Sequence, residues 1–356
     1  MFKRLVLGAA AVAATLINCT TGGLISPGDE GRLVWKYVTG GYVASRPWVE
    51  DGRLYVGGDD TYVYCLDAGS GQEIWKYRTG GRVRSSPALA GGRLYVGGYD
   101  NYLHCVNAAD GKRLWRYETG GWVFSSPAVG GGRVYFGGVD GHLYALKADT
   151  GELAWRYQTG GQVWSSPCLA QGKVYVGCRD GKVYCLRAEN GELLWASDAG
   201  GEIWYSGPVV AEGRLFVGDG AGNVNCFEAA SGALRWRYRT GGMVDSTPYI
   251  EDGTVYVGSW DGTVYALKAD TSRASGELVW EREFGKPVVS SPAGDDGRLF
   301  VGCHDFNLYY LRASSGEVVW RYKTGHQIES SPAVAGGRVY VGSYDDAVYC
   351  LNVLGE

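Results

Sequence analysis

The chain has 356 residues, which is enough to bury a substantial core but fits either one large domain or two ordinary ones. Its 58 Gly and 26 Tyr against only 2 Met indicate many short strands joined by glycine turns. The formal net charge of −4 and the lack of any run of Lys or Arg argue against nucleic acid as a partner.

The amino-terminal segment, residues 1–19, differs in character from the rest of the chain. Lys3 and Arg4 precede an apolar stretch that is too short to cross a bilayer as a helix, so the segment is interpreted as a secretory signal peptide. Leu16-Ile17-Asn18-Cys19 resembles a lipoprotein cleavage box, which predicts a lipid on Cys19. Ordinary cleavage near Ala11-Val12-Ala13 is the alternative.

Residues 20–30 are rich in Gly, Thr, Ser and Pro and are interpreted as a short tether. If the chain is a Gram-negative lipoprotein, Thr20 stands where an inner-membrane retention signal has Asp. We therefore expect an exported protein, held at the outer membrane by the lipid on Cys19 and facing the periplasm.

Internal repetition decides the domain count. Eight tryptophans recur at steps of 40 residues, with one step of 41 and one of 44, and they mark eight copies of one unit: Trp35, Trp75, Trp115, Trp155, Trp195, Trp236, Trp280 and Trp320.

The third copy illustrates the unit. It contains four short segments of alternating polarity that end at glycine or Asx-Gly, namely 114–117, 123–127, 132–137 and 140–146. Such segments are typical of antiparallel strands joined by hairpin turns, and four strands are what a β-propeller blade contains.

The phase of the repeat predicts how the array closes. The chain begins its repeats with a tryptophan strand at 32–38 and ends after the third strand of the last copy, so 32–38 should complete blade eight. We therefore predict an all-β fold, an eight-bladed β-propeller over residues 31–356 with four antiparallel strands per blade. A linear solenoid would need polar caps at both ends.

A family resemblance follows from the segments that precede the tryptophans. Lys147-Ala148-Asp149-Thr150-Gly151-Glu152-Leu153-Ala154-Trp155 resembles the tryptophan-docking motif of pyrroloquinoline-quinone-type (PQQ-type) propellers, and 187–195 and 312–320 are close variants. The resemblance implies that the indole of each outer strand docks on the neighbouring blade. The eight repeated tryptophans are therefore interpreted as structural.

Positions that differ from blade to blade are the ones that the scaffold does not dictate. In the segment after each Thr-Gly-Gly, alternation places the residues on either side of Val on one face, and in PQQ-type propellers this strand is the innermost. The next turn opens on the same face. We predict a binding funnel at the channel mouth that contains Arg82, Arg84, Trp122, Phe124, Trp164, Glu202, Trp204, Asp245, Trp260 and Glu329. The alternative is that these side chains only fill the channel.

No catalytic or metal-binding residue is predicted. His304 and His326 could approach one another, but two imidazoles without a placed carboxylate do not make a metal site. Five cysteines occupy the same place in five different blades, too far apart for disulfides, and all eight cysteines after Cys19 are interpreted as small buried residues.

Within the superfamily, the resemblance extends to quinoprotein dehydrogenases and to smaller non-catalytic lipoproteins such as the B component of the outer-membrane β-barrel assembly machinery. The adjacent cysteines and the Cys-x-x-Cys-His segment of the dehydrogenases do not occur in this sequence. We expect a monomeric propeller without a cofactor, which docks envelope or membrane proteins. The alternatives are a compact PQQ-dependent dehydrogenase and an extracellular carbohydrate-binding module.

Overall fold

The computed structural model describes residues 32–353. These residues form eight four-stranded antiparallel sheets, the blades of one propeller, in which strands adjacent in the sheet are also adjacent along the chain, except in the last blade. The predicted signal peptide, the predicted tether and Cys19 lie outside the described residues. No helix in the described part of the chain is long and apolar enough to cross a membrane.

Each blade runs from a three-residue strand near the axis to an outermost strand that carries the repeated tryptophan. The innermost strands are Trp48–Glu50, Ala88–Ala90, Ala128–Gly130, Cys168–Ala170, Val209–Ala211, Tyr249–Glu251, Ala293–Asp295 and Ala333–Ala335. The second strands are Arg53–Gly57, Arg93–Gly97, Arg133–Gly137, Lys173–Gly177, Arg214–Gly218, Thr254–Gly258, Arg298–Gly302 and Arg338–Ser343. Blades are numbered one to eight in the order of these strands.

The outer half of each blade is equally regular. The third strands are Tyr62–Asp67, Tyr102–Asn107, His142–Lys147, Lys182–Arg187, Asn223–Glu228, Thr263–Lys268, Asn307–Arg312 and Ala347–Asn352. The outermost strands of blades one to seven are Glu73–Arg78, Arg113–Glu118, Leu153–Gln158, Leu193–Asp198, Leu234–Arg239, Leu278–Glu283 and Val318–Lys323, and Leu33–Val38 is the outermost strand of blade eight.

The ring closes through strand pairing between the two ends of the described chain. Leu33–Val38 runs antiparallel to Ala347–Asn352, with Trp35 opposite Cys350 and Lys36 opposite Tyr349. This pairing confirms the predicted closure. It also protects the last third strand, which would otherwise present an unpaired edge.

The innermost strand does not lie where the sequence predicted it. In blade three the strand is Ala128–Gly130, whereas the prediction was 123–127. The predicted segment bridges blades instead: Val123 N donates to Gly98 O of blade two at 3.1 Å, and Ser126 N donates to the Ser166 hydroxyl of blade four at 3.0 Å. Pro127 has no N–H to contribute to a ladder.

The hydrophobic core lies between neighbouring blades. One cluster, for example, combines Tyr55 and Trp75 of blade one with Leu94 and Val106 of blade two, all of them buried. Because each blade buries its faces only against its neighbours, the closed ring leaves no terminal blade with an exposed apolar face.

Each repeated tryptophan contacts the next blade. The Trp75 indole Nε1 donates to Ala108 O of blade two at 3.1 Å, and its ring lies on Gly111, where an added Cβ would come within 2.6 Å of the ring. Gly111 also has a φ of +71°. The other seven indoles donate in the same way, to the main-chain carbonyls of Ala68, Ala148, Ala188, Ala229, Ala269, Ala313 and Val353.

Aspartates in the turns between second and third strands are occupied by local hydrogen bonds. Asp140 accepts bonds from His142 N at 3.2 Å, Gly120 N at 2.7 Å and the Tyr144 hydroxyl at 2.6 Å. These contacts fit the turn role that the sequence predicted for such residues.

The eight described cysteines are all free thiols. Seven are buried, and burial raises the pKa of the Cys105 and Cys226 thiols to about 12. Cys168 departs from the prediction because it is partly exposed at the start of an innermost strand. It pairs with Tyr175 in the sheet, as the predicted hairpin register required.

Candidate functional site: the channel and its mouth

The segment that follows each Thr-Gly-Gly positions the candidate site. In blade three Val123 and Ser125 are fully buried between blades, so alternation turns Trp122, Phe124 and Ser126 to the opposite side. The other blades repeat this pattern, with one extra residue in blade five, and so place side chains in stacked rings around the propeller axis.

The side chains form three rings, called the mouth ring, the upper ring and the middle ring in order from the channel mouth inward. The mouth ring is Tyr42, Arg82, Trp122, Gln162, Glu202, Met243, Pro287 and Gln327, together with the turn residues Asp59, Tyr99, Val139, Arg179, Gly220, Trp260, His304 and Tyr344. The upper ring is Ala44, Arg84, Phe124, Trp164, Tyr205, Asp245, Val289 and Glu329. The middle ring is Arg46, Ser86, Ser126, Ser166, Gly207, Thr247, Ser291 and Ser331.

The channel is a cavity of about 920 Å³. All of the upper ring lines it, as do the side chains of the middle ring and several residues of the innermost strands, among them Trp48, Val209 and Tyr249. A cavity of this size is at the upper end of the range for small-molecule pockets.

Main-chain hydrogen bonds hold the two parts of the mouth ring together. Tyr99 N donates to Arg82 O at 3.0 Å, Val139 N donates to Trp122 O at 2.9 Å, and the other six blades repeat this bond. The two variable sets that the sequence placed on one face therefore do share it.

An aromatic arc lines one side of the channel in blades three to five. Phe124 stacks on Trp164 with ring centroids 5.3 Å apart, and Trp164 meets Trp204 edge-on at 6.0 Å. Tyr205 completes the arc, with its ring 4.9 Å from Phe124 and 5.5 Å from Trp164.

Tyr205 is a residue that the sequence reasoning missed. Blade five has one extra residue between Ile203 and the buried Ser206, so Tyr205 takes the cavity-lining place that Trp164 has in blade four. Trp204 is displaced toward the mouth, where the Arg179 guanidinium lies 3.6 Å from its ring centroid. The step of 41 residues between Trp195 and Trp236 was the signal for this insertion.

Two stacked aromatic pairs stand on the mouth ring. Trp122 lies flat on Tyr99 with centroids 4.8 Å apart and planes 8° apart, and 46% of Trp122 is exposed. Tyr42 lies on Tyr344 at 4.7 Å and 7°, and 45% of Tyr42 is exposed. Burial raises the pKa of Tyr99 to about 12, so its hydroxyl is neutral at physiological pH.

The two predicted arginines share one carboxylate. Arg84 donates to Asp59 through Nε at 3.0 Å and Nη2 at 2.7 Å, and Arg82 approaches the same Asp59 at 3.8 Å. Arg84 lies in the channel, whereas Arg82 is mostly exposed on the mouth ring. Burial alone would lower the pKa of Arg84, but the Asp59 carboxylate outweighs this effect and holds the pKa above its ordinary value.

The predicted acidic residues also have partners. The Trp260 indole donates to Asp245 at 2.6 Å, and His304 lies 3.4 Å from Glu329, which also accepts from the Tyr344 hydroxyl. Desolvation by burial raises the pKa of Asp245.

The other two acidic residues behave differently. Burial acts against the charged form of Glu329, but the nearby His304 imidazole and a hydrogen bond from the Tyr344 hydroxyl hold its pKa below the ordinary value. Glu202 is exposed and pairs with Arg179 at 3.2 Å.

The two histidines do not form a pair. His304 contacts Glu329 and Trp260, while His326 stacks on Phe306 with centroids 5.3 Å apart. In the part of the chain that the structure describes, no group of three or more His, Cys, Asp or Glu side chains is arranged to hold a metal ion.

Arg46 is a second residue that the sequence reasoning missed. It lines the cavity in the middle ring, where five blades have Ser and one has Thr. Its side chain is exposed to the solvent of the channel, and the desolvation that the channel walls impose lowers the pKa of Arg46.

These features define an all-β, eight-bladed propeller with an axial channel and an aromatic, charged mouth. A family model described as the β-propeller of β-alanine-activating enzyme matches residues 24–214, more than half of the chain, and a model described as outer membrane protein assembly factor BamB matches residues 179–274 and 269–354. The chain therefore belongs to the first of these propeller families and to the superfamily of PQQ-type repeat β-propellers, which confirms the resemblance seen in the sequence.

Solved structures share this fold at low sequence identity. BamB from Moraxella catarrhalis is 18% identical with a TM-score of 0.77, over 90% of this chain and 97% of that one. The computationally designed Ika8 protein is 16% identical with a TM-score of 0.79, and the match covers 90% of this chain and 100% of the designed chain. The quinohemoprotein alcohol dehydrogenase ADHIIG from Pseudomonas putida HK5 is 17% identical with a TM-score of 0.72, and the match covers 91% of this chain and 76% of the dehydrogenase chain. No curated protein matches the chain in sequence.

Proposed function

We propose that this propeller is a non-catalytic binding protein of the cell envelope that docks other proteins on its mouth ring. The observation that carries the proposal is the Tyr99–Trp122 pair, in which a half-exposed indole is held flat on a second ring. A tryptophan that is fixed before binding loses little conformational entropy when a partner covers it.

The composition of the rim supports the same function. The Tyr42–Tyr344 pair repeats the arrangement on blades eight and one, and Arg82 of blade two lies between the two pairs with most of its side chain exposed. Tyr, Trp and Arg are the residues that most often dominate binding energy in protein interfaces.

The likeness to BamB supports a more specific role as a scaffold in outer-membrane protein assembly, because the matching family model is described as an outer membrane protein assembly factor. The lipoprotein-like box at Cys19 supports a location at the outer membrane, facing the periplasm. Partners are then other envelope or membrane proteins.

The residues of the channel do not fit the quinone site that the dehydrogenase alternative implies. None of the cysteines in the sequence is adjacent to another, and the described residues 32–353 offer no metal-holding group. We propose that this chain works without a cofactor.

Affinity capture from envelope extracts tests the docking proposal when it compares three forms of the mature protein. Trp122→Ala removes the exposed indole, and Leu114→Ala removes a side chain of nearly equal exposure, 47%, from an outermost strand. We expect a specific partner to be retained by the wild type and by Leu114→Ala and to be lost from Trp122→Ala. Equal capture by all three would contradict the proposal.

Cell fractionation tests the location. We expect the wild type in the outer-membrane fraction and the Cys19→Ala variant, if it is exported, in the soluble periplasmic fraction. Recovery of the wild type in the cytoplasm would rule out the proposed envelope role.

A further inference from the structure

The middle ring is rich in unused hydrogen-bond donors. Six of its hydroxyl oxygens accept a main-chain N–H bond of 2.9–3.0 Å from the preceding blade, namely those of Ser86, Ser126, Ser166, Thr247, Ser291 and Ser331. A hydroxyl that accepts such a bond keeps its own proton to donate. Within residues 32–353, none of these six hydroxyls donates to a protein atom, and all six line the channel cavity.

Arg46 interrupts this ring of hydroxyls with a positive charge. Its main-chain N donates to the Ser86 hydroxyl at 3.0 Å, but its guanidinium makes no hydrogen bond or ion pair with any other described residue. A guanidinium offers five N–H donors and no acceptor. Its side chain is exposed to the solvent of the channel, so an anion that enters the channel can reach all of these donors.

Arg84 and Glu329, which also line the cavity, have charged or ionisable partners, whereas Asp245 has only the neutral Trp260 indole, and its Oδ1 has no hydrogen-bond partner among the described residues. Arg84 is bound to Asp59, Glu329 to His304 and Tyr344, and Asp245 to Trp260. Among the described residues, Arg46 is therefore the cavity-lining positive charge without an acidic partner, and it can bind a ligand that carries one negative charge. Because Asp245 and Glu329 stand in the ring above it, a ligand with several negative charges would be repelled.

The surface above the middle ring indicates what carries that charge. Phe124, Trp164 and Tyr205 form a continuous aromatic wall on the far side of the channel from blade one. Such a wall binds apolar or aromatic groups by burial and ring stacking.

We propose that the channel binds a small ligand with a single carboxylate on an aromatic or apolar body. The carboxylate lies against the Arg46 guanidinium and the hydroxyls of the two flanking blades, Ser86 and Ser331. The body lies against the aromatic wall. The site shares Trp164 with the proposed docking surface but also requires Arg46, which lies below the mouth ring, so its test does not depend on protein docking.

The probe is 4-fluorobenzoate, titrated against the protein at low salt and followed by fluorine NMR. Arg46→Ser introduces the hydroxyl that the ring has in five other blades, so this variant should fold. Arg78→Ser is the matched control, because Arg78 is exposed on an outermost strand away from the channel. We expect saturable binding to the wild type and to Arg78→Ser, and binding at least about tenfold weaker to Arg46→Ser.

Three further measurements define the ligand class. Arg46→Lys keeps the charge and should restore part of the affinity that Arg46→Ser loses. The neutral 4-fluorobenzyl alcohol should bind at least about tenfold more weakly than 4-fluorobenzoate. Inorganic phosphate should displace 4-fluorobenzoate less effectively than unlabelled benzoate does, because phosphate has no group for the aromatic wall.

No saturable binding to the wild type, or equal affinity for the wild type and Arg46→Ser, would overturn the proposal. Displacement by phosphate as effective as that by benzoate would also overturn it, since the aromatic wall would then contribute nothing. None of these results depends on protein docking at the mouth ring.

Discussion

The Ser330 hydroxyl donates a 2.8 Å hydrogen bond to the main-chain carbonyl of Ser45, and this bond joins blade eight to blade one. The same oxygen accepts Gly342 N at 3.0 Å, so Ser330 serves both its own blade and the next. Buried serines at the equivalent positions of other blades make comparable bonds, such as Ser206 to the carbonyl of Ser246 at 2.9 Å. Within the described residues, four of the eight blade junctions have such a serine-to-carbonyl bond, and the junction that closes the ring is one of them.

Replacing Ser330 with Ala should lower the free energy of unfolding by about 1–3 kcal/mol, because the buried Ser45 carbonyl and Gly342 N–H lose a partner. Urea denaturation followed by circular dichroism measures the change. Ser314→Ala is the matched control, since Ser314 is exposed, and it should change stability by less than about 0.5 kcal/mol. A loss as small as the control's would show that the junction does not depend on this bond.

The aromatic arc gives a second prediction. Replacing Trp164 and Trp204 together with Ala should weaken binding of a partner captured on the mouth by at least about 2 kcal/mol, the usual size of an interface hot spot. Both side chains are partly exposed, and cooperative unfolding should be retained. Calorimetric titration with the captured partner checks the affinity, and a thermal melt checks the fold. Unchanged affinity in a folded variant would remove the arc from the docking surface.

Acid should weaken the strand pairing that closes the ring. Lys36 of the outermost strand of blade eight pairs with Asp345 at 3.0 Å. Burial opposes the charged form of Asp345, but hydrogen bonds from Tyr349 and Lys36 hold its pKa below 3.8. A carboxyl group whose pKa is lowered by folding stabilises the folded protein at any pH above the pKa of the unfolded chain, about 3.9. This stabilisation is lost as the pH falls through the lower pKa of the folded protein.

The Asp345→Asn variant tests this dependence. It should be less stable than the wild type at pH 6, and the difference should shrink as the pH falls below about 3.9. Denaturant titrations of both proteins at pH 6 and near pH 3 measure it. A difference that is the same at both pH values would contradict the assignment of the stabilisation to the charged carboxylate.

Thiol reactivity should separate Cys168 from the other described cysteines. Seven thiols are buried, and burial raises the pKa of Cys65 and Cys350 to about 11, so thiolate is scarce and access is poor. Cys168 is partly exposed, although burial raises its pKa too. Mild alkylation of the folded protein, followed by mass spectrometry, should label Cys168 first. Early labelling of Cys65 or Cys350 would show that those blades open readily.

Much of the fold could be predicted from the sequence because the repeated tryptophans report directly on blade number. Each indole needs the same pocket on the next blade, so its spacing fixes the repeat. The position of the innermost strand could not be read in the same way. Residues 123–127 have the alternation of a strand, but their hydrogen bonds go to neighbouring blades, which is a long-range property.

The candidate site was predicted less completely. Alternation correctly placed Phe124 and Trp164 toward the channel, but one extra residue in blade five put Tyr205 where Trp204 was expected. Arg46 lies one alternation step beyond Tyr42 and Ala44, the pair that flanks Val43, so the predicted funnel did not include it. Arg46-Pro47 against Ser86-Pro87 is the signal that would have found it. Arg84 binds Asp59 in a turn of the neighbouring blade, and Asp245 binds Trp260 in a turn of its own blade. The spacing of these residues along the sequence does not predict such contacts.

In-cell photo-crosslinking tests the docking role of the mouth ring most directly. A benzophenone amino acid would replace Trp122 or Tyr42 on the mouth ring and, as controls, Ile74 or Leu114 on the outermost strands, which are exposed to a similar degree. The docking account predicts a crosslinked envelope protein from positions 122 and 42 and no such adduct from positions 74 and 114. No adduct from the mouth positions, or the same adduct from all four, would contradict it.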